Sequence, residues 1–251
     1  MVRNVGAVIV TGASRGIGAA VARLIGSQGT PVVVNYSAAQ STAEAVVAEI
    51  EAGGGRAVAI RADMRREDEI VGLFEAAVSE FGRIEGLVNN AGVTGGFARV
   101  EDVLAETIED VLSVNVRGLI LCSREAVKHM SIQRGGKGGA IVNISSLVAR
   151  TGGGGEWVHY AASKGAVNSF TIGLAREVAD EGIRVNAVAP GLINTELHAT
   201  SGNPERLKEM APTIPMKRAG SAEEVARAVA WLLSDAASYT TGTIVEVGGG
   251  R

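Results

Sequence analysis

Val5-Gly6-Ala7-Val8-Ile9-Val10 is an apolar, largely β-branched run that passes straight into Thr11-Gly12-Ala13-Ser14-Arg15-Gly16-Ile17-Gly18. A continuously apolar strand, covered on both faces, belongs to a parallel sheet. The glycines that follow it, and the helical pattern that begins at Ile17, mark the first βα turn of a dinucleotide-binding unit. Gly12 allows the tight turn out of the strand, Gly16 lets the backbone approach a pyrophosphate, and Gly18 permits close packing of helix on strand. Ser14, Arg15 and Ile17 complete the loop. The helix N-terminus then offers unpaired N–H groups and partial positive charge to the phosphates. The glycines are separated by three residues and then by one, unlike the commoner G-x-G-x-x-G. The strand–loop–helix context is nevertheless the one such a motif requires.

The rhythm continues along the chain. Residues 5–10, 31–35, 56–60, 86–89, 140–144, 183–188 and 243–247 read as strands, and residues 17–28, 39–52, 67–81, 109–130, 160–181 and 222–234 as helices. Alternating β and α elements with right-handed crossovers predict an α/β fold. It is a single Rossmann-type domain over residues 1–251, a doubly wound sheet of about seven parallel strands with helices on both faces. Four of the five prolines, Pro190, Pro204, Pro212 and Pro215, fall between the sixth strand and the last helix. Proline continues neither a helix nor a central strand. Residues 192–216 are therefore expected to form a substrate lid with one short helix near 205–210.

A net charge of −3 and the absence of a basic run argue against a nucleic-acid partner. No apolar stretch is long enough to span a bilayer, and no secretory cleavage pattern precedes the first strand. Cys122 is the single cysteine, which forbids an intrachain disulfide and predicts a small buried hydrophobe. His129, His159 and His198 lack ligand-like spacing with acidic residues or cysteine, so no metal is expected. His129 falls near a helix end, whereas His159 and His198 could face a substrate. The expectation is a cytoplasmic protein that engages neither membrane nor nucleic acid.

Tyr160 and Lys164 stand four residues apart on a predicted helix and so share a face. An ammonium about 4 Å from a phenol contributes on the order of 4 kcal/mol at an effective dielectric of ~20, or about three pKa units. That would bring Tyr160 near working pH as a general acid or base. With the glycine loop, the pair reads as a nicotinamide-dependent carbonyl reductase or alcohol dehydrogenase. The second strand ends Val34-Asn35-Tyr36-Ser37-Ala38 with no carboxylate to accept from an NAD ribose. Arg15 offers a fixed cation for a 2′-phosphate, and Asn35 or Ser37 could donate to it. NADPH/NADP is therefore expected, with NAD possible.

The chain resembles the short-chain dehydrogenase/reductase family over essentially its whole length. Besides the glycine loop and Tyr160-x-x-x-Lys164, it carries Asn89-Asn90-Ala91-Gly92, Asn115, Ser145-Ser146 and Pro190-Gly191 in the family's order. The resemblance implies a catalytic tetrad of Asn115, Ser146, Tyr160 and Lys164. Ser146 would polarise the substrate oxygen and Tyr160 would transfer the proton. Lys164 would lower the tyrosine pKa and hold the nicotinamide ribose, and Asn115 would position a water linking Lys164 to solvent. It also implies Asp63 and Met64 beside the adenine, and Asn89, Ala91 and Gly92 along the adenosine and ribose. Pro190, Gly191, Ile193 and Thr195 would lie around the nicotinamide amide. Residues 93–97, Leu147, 152–158 and the lid would enclose a small-molecule carbonyl or alcohol. The family implies a homotetramer through the helices at 109–130 and 160–181 and the C-terminal strand. The alternatives are an NAD-dependent sugar or polyol dehydrogenase and a non-catalytic NADPH sensor.

Overall fold

The computed structural model describes residues 6–195 and 205–251. Its strands are β1 (Ala7–Val10), β2 (Val32–Tyr36), β3 (Ala57–Arg61), β4 (Ile84–Asn89), β5 (Gly139–Ile144), β6 (Ile183–Pro190), β7 (Ile193–Asn194), β8 (Gly220–Ser221) and β9 (Ile244–Val247). Seven of them form one parallel sheet in the order β3-β2-β1-β4-β5-β6-β9, while β7 and β8 make a separate two-stranded ladder. From β1 the chain winds outward through β2 and β3, then returns to place β4 on the other side of β1. At such a reversal the loops leave the strand ends in opposite directions and open a crevice.

The helices are α1 (Gly16–Ser27), α2 (Gln40–Ala52), α3 (Glu67–Phe81), α4 (Ala105–Leu112), α5 (Leu119–Met130), α6 (Val148–Thr151), α7 (Val158–Glu177), α8 (Arg206–Met210) and α9 (Ala222–Leu233). Successive residues of a strand point to opposite faces, so β1 feeds both cores. Val8 and Val10 pack with Val21, Val32 and Val229 against α1 and α9. Ala7 and Ile9 pack with Phe74, Leu87 and Cys122 against α3 and α5. Each large apolar side chain buried this completely contributes about 1.5–3 kcal/mol, which is why all of β1 is apolar.

All seven sheet strands fall within two residues of the positions read from the sequence, and α3 coincides with them. The expected helix at 109–130 is not continuous. A π-helical turn, Ser113–Gly118, separates α4 from α5. Within it, Gly118 runs so close to β3's outgoing chain that a Cβ would lie 2.5 Å from the Met64 carbonyl oxygen. Wide turns of this kind are frequent at functional sites, and Asn115 lies within this one. Among the described residues no helix is long and apolar enough to cross a membrane.

Candidate active site

The crevice at the ends of β1 and β4 is built first from the backbone of the glycine loop. Gly12 and Gly16 have φ of +61° and +57°, a left-handed region costly to any residue with a Cβ. A Cβ on Gly12 would also sit 3.0 Å from Ala91 Cα. Side chains then hold the loop from both flanks. The Asn35 amide oxygen accepts from Gly12 N–H at 3.1 Å, and the Asn90 amide donates to the carbonyls of Thr11 and Gly12, each at 2.9 Å. The Thr11 hydroxyl accepts from the N–H groups of Asn90 and Ala91, both at 3.0 Å.

Two expectations change here, and the packing role of Gly18 stands. Asn35 is buried, and its amide N–H groups donate to the carbonyls of Tyr36, Ile60 and Ala62. It positions the loop and has no donor left for a 2′-phosphate. Asn89 faces the core, donating to Ser123 and Asn143 at 3.0 and 2.9 Å. Asn90, one residue on and outside the strand, lines the crevice instead. Gly18 lies off the crevice, where a Cβ would meet the Asn90 amide at 2.5 Å and the Gly12 carbonyl at 2.7 Å. It serves packing alone.

Ser37, exposed just past β2, and Arg15, exposed on the loop, both line the crevice near Asp63 and Met64. Asp63 accepts from Arg65 N–H at 2.9 Å and from its guanidinium at 3.1 Å. Burial raises the Asp63 pKa, but these bonds outweigh it and hold the carboxyl below its usual range. Met64 is buried, its sulfur 3.4 Å from the Cys122 thiol. The Cys122 thiol is pushed up to about 12 by burial, consistent with an inert core residue.

The other end of the same cleft carries Ser146, Tyr160 and Lys164. β5 delivers Ser145 and Ser146. Ser145 turns into α7, donating to the Asn168 amide oxygen at 2.6 Å, so Ser146 is the serine presented beside Tyr160. Tyr160, Lys164, Val167 and Thr171 form one buried stripe of α7. The Lys164 ammonium donates to the Ile144 carbonyl at 2.7 Å and lies 5.6 Å from the Tyr160 ring centre. Burial pushes Lys164 down to about 8. Burial also pushes Tyr160 up to about 12, against a smaller downward pull from its hydrogen bond with Ser146. The expectation of a phenol brought near neutral is therefore reversed in the protein by itself, because burial outweighs the hydrogen bond from Ser146. Asn115 is buried and brackets Val93, accepting from its N–H and donating to its carbonyl, both at 2.8 Å, and donating to Ser163 at 3.0 Å. It does not line the cleft, but a Cβ on neighbouring Gly92 would lie 3.3 Å from its oxygen and 3.6 Å from Lys164 Nζ.

The cleft measures about 780 Å³ and runs from Gly12 and Ser37 through Ala91 and Gly92 to Tyr160. A nicotinamide dinucleotide fits its chemistry: a glycine cradle and helix N-terminus at one end, a lysine and a phenol at the other. Pro190, Gly191, Ile193 and Thr195 line the floor between them. Around Tyr160 the wall includes Val93, Leu147, Gly153, Trp157, Leu192 and Met210, so the expected enclosure is largely present. Phe97 stacks on Trp157 with ring centres 4.6 Å apart, and Trp157 meets Tyr160 edge-on at 5.8 Å. Residues 196–204 of the lid, His198 among them, lie outside the described residues. Next to the segment expected to form a lid, Ile193 pairs with Gly220. There the Arg218 guanidinium and the Ser221 N–H bring Glu224 down to about 2. Glu156, within the expected 152–158 wall, lines the cleft, as do Arg65 and Arg251, which no motif marks. His159 does not line it.

A family model described as "Enoyl-(Acyl carrier protein) reductase" matches residues 12–251. An uncharacterized oxidoreductase of Escherichia coli K12, YgfF, is 49% identical over 97% of this chain and 98% of its own length. The 3-oxoacyl-[acyl-carrier-protein] reductase FabG of Staphylococcus aureus is 41% identical over 96% of each. A solved double mutant of a Serratia marcescens short-chain dehydrogenase/reductase superimposes with a TM-score of 0.90 at 35% identity, covering 98% of this chain and 97% of that one. Fold, site order and relatives agree, and the chain belongs to the short-chain dehydrogenase/reductase family of NAD(P)-using oxidoreductases.

Proposed function

We propose that this enzyme is an NADPH-preferring reductase and dehydrogenase that interconverts a ketone and a secondary alcohol. The observation that carries the reading is the hydrogen bond between Ser146 and Tyr160, with Lys164 behind them, at the closed end of a cleft that begins in a glycine cradle. Gly12, Gly16, Asn90, Ala91 and Thr195 would hold the dinucleotide, with Arg15 and Ser37 toward a 2′-phosphate. The bound nicotinamide supplies the hydride in reduction and, when oxidised, a positive ring beside the phenol.

Tyr160 enters reduction protonated, since its burial keeps it so at any physiological pH. Its O–H and that of Ser146 donate to the substrate carbonyl oxygen, and as charge develops there Tyr160 transfers its proton. Lys164, held by the Ile144 carbonyl, places positive charge near the phenolate that remains and stabilises it. Asn115 braces Val93 and thereby the wall beside Gly92. The apolar lining of Leu147, Trp157, Leu192 and Met210 favours an aliphatic or cyclic ketone over a highly charged one. A homotetramer is consistent with the apolar side chains exposed along α4 and α5, Ile108, Leu112 and Ile120, and on α7, Ile172. The protein is proposed to work in the cytoplasm.

The test is oxidation of NADPH and NADH across a panel containing an acetoacetyl thioester, cyclic ketones and, in reverse, glucose with NAD. The reading expects reduction of a 3-oxo thioester or cyclic ketone, with NADPH favoured at least about tenfold, and near-complete loss of turnover in Tyr160→Phe. Turnover that survives Tyr160→Phe, or glucose oxidation with NAD alone, would overturn it.

A further inference from the structure

We propose that His159 is a positioning residue: its Nε2–H donates to the Thr94 carbonyl and clamps one wall of the substrate cavity to the helix that carries Tyr160. The proposal rests on reading Ser146, Tyr160 and Lys164 as the catalytic site.

His159 precedes Tyr160 on α7 by one residue, which turns it about 100° around the helix axis and away from the cavity. It is only 9% exposed, and Nε2 lies 2.9 Å from the Thr94 carbonyl oxygen. A carbonyl oxygen only accepts, so Nε2 carries the proton. Nδ1 is buried with no hydrogen-bond partner among the described residues. The geometry therefore places a proton on Nε2.

The partner segment, residues 93–98, has no regular structure, so its polar backbone groups need other partners. Asn115 takes both backbone groups of Val93, and the Glu156 carbonyl accepts from Ala98 N–H at 2.9 Å. Between those two anchors His159 ties the wall at Thr94, and Phe97 stacks on Trp157 further along. Thr94 lines the cavity together with Val93. The next residue is fitted to this contact. Gly95 has φ of +76°, and a Cβ there would lie 2.7 Å from Thr107, 2.9 Å from Val111 and 3.0 Å from His159 Nε2. The backbone can thus pass directly beneath the imidazole only because residue 95 has no side chain. Loss of the tie frees the middle of the wall while leaving the glycine cradle untouched. The effect should fall on binding of the carbonyl substrate, not on dinucleotide binding or proton transfer.

Two variants of similar reach separate the donor from its bulk. His159→Gln retains an N–H near the Nε2 position, and His159→Met keeps the length without a donor. With the best ketone from the panel, His159→Met is expected to raise KM about tenfold with kcat within about threefold, the scale of one buried carbonyl left unpaired. His159→Gln should restore KM to within about threefold of the parent. The dinucleotide Kd should be unchanged in both. Hydrogen exchange supplies a readout independent of turnover: the Ala98 amide should exchange at least about tenfold faster in His159→Met than in His159→Gln. If His159→Met fails to bind dinucleotide, His159→Asn, whose amide is too short to reach, replaces it. Parent-like KM and exchange in the donor-less variant, or equal damage in both variants, would overturn the clamp. Tyr160→Phe run alongside separates the two ideas. Full activity in Tyr160→Phe refutes the catalytic reading, whereas a dead Tyr160→Phe beside an unaffected His159→Met refutes the clamp alone.

Discussion

Lys164→Met should make the protein more stable near neutral pH while abolishing turnover, and the pH dependence of that gain is its signature. Lys164 is buried, and its pKa falls from 10.5 to about 8 because burial penalises the ammonium. The folded state thus binds fewer protons than the unfolded state between pH 8 and 10.5, so stability rises with pH across that window and is lost as pH falls back through it. Below pH 8 the buried ammonium costs about 3 kcal/mol relative to a neutral amine, at 1.36 kcal/mol per pKa unit. Against this, methionine leaves the Ile144 carbonyl without its 2.7 Å donor, a loss of about 1–3 kcal/mol. The net at pH 7 is a gain of roughly 0–2 kcal/mol on these opposing magnitudes. The difference between the two proteins is less ambiguous: the variant's advantage should shrink by about 3 kcal/mol from pH 8 to 10.5. Tyr160, pushed up to about 12, titrates alike in both chains to first order and cancels. Urea denaturation at fixed protomer concentration, at half-unit pH steps, measures it. Parallel stability–pH curves for parent and variant would show that Lys164 is not desolvated as argued.

Other perturbations separate the loop's holders from the chemistry. Gly18→Ala should weaken dinucleotide binding at least tenfold, since the new Cβ would lie 2.5 Å from the Asn90 amide and 2.7 Å from the Gly12 carbonyl; isothermal titration with NADPH checks it. Asn35→Asp replaces the amide that donates to Ile60 and Ala62 and should destabilise the fold by about 2–3 kcal/mol, with an unchanged denaturation midpoint counting against the scaffold role. Ser37→Asp, at an exposed position on the cleft, should shift the kcat/KM ratio toward NADH about tenfold by offering the ribose an acceptor and repelling a 2′-phosphate. Steady-state kinetics with both nucleotides decides this, and an unmoved ratio would remove Ser37 from cofactor selection.

What is legible in the sequence is whatever local spacing dictates. Apolar runs covered on both faces mark the parallel strands, the glycines mark a turn whose φ values only glycine takes easily, and the four-residue step from Tyr160 to Lys164 marks a shared helix face. What is not legible depends on burial and on partners far away in the chain. Asn89 and Asn90 are adjacent, yet only their register decides which one enters the core, where Asn89 pairs across the sheet with Asn143. Asn35 interrupts an apolar strand and, from spacing alone, reads as a ligand contact. A buried amide in such a strand more often satisfies backbone groups, and here it does. The break at Ser113–Gly118 has no local signature either, because the close approach of Gly118 to the Met64 carbonyl is a tertiary fact. The Tyr160 pKa departs from expectation for the same reason: spacing places the ammonium, but it does not show the burial that raises the phenol.

These departures share one cause, and it explains how the site is organised. A crevice between strand ends is walled by irregular backbone, and irregular backbone shielded from water must find hydrogen bonds somewhere. Asn35 and Asn90 supply them to the glycine loop, Asn115 to Val93, and His159 to Thr94. Each is a polar side chain close to the cleft whose partners hold a wall in place, and Asn90 lines the cleft as well. Once they are assigned to the walls, the groups left facing the reacting end are few: Ser146, Tyr160 and, behind them, Lys164. The division has an energetic consequence. Changing a wall holder alters where a surface stands, and so affects binding of whichever molecule touches that wall. On the proposed reading, changing one of the three alters the proton. A substitution at Asn90 should therefore appear in dinucleotide affinity, one at His159 in KM for the carbonyl, and one at Tyr160 in kcat. A scan in which all three lowered the same parameter equally would mean that walls and chemistry are not separable in this fold.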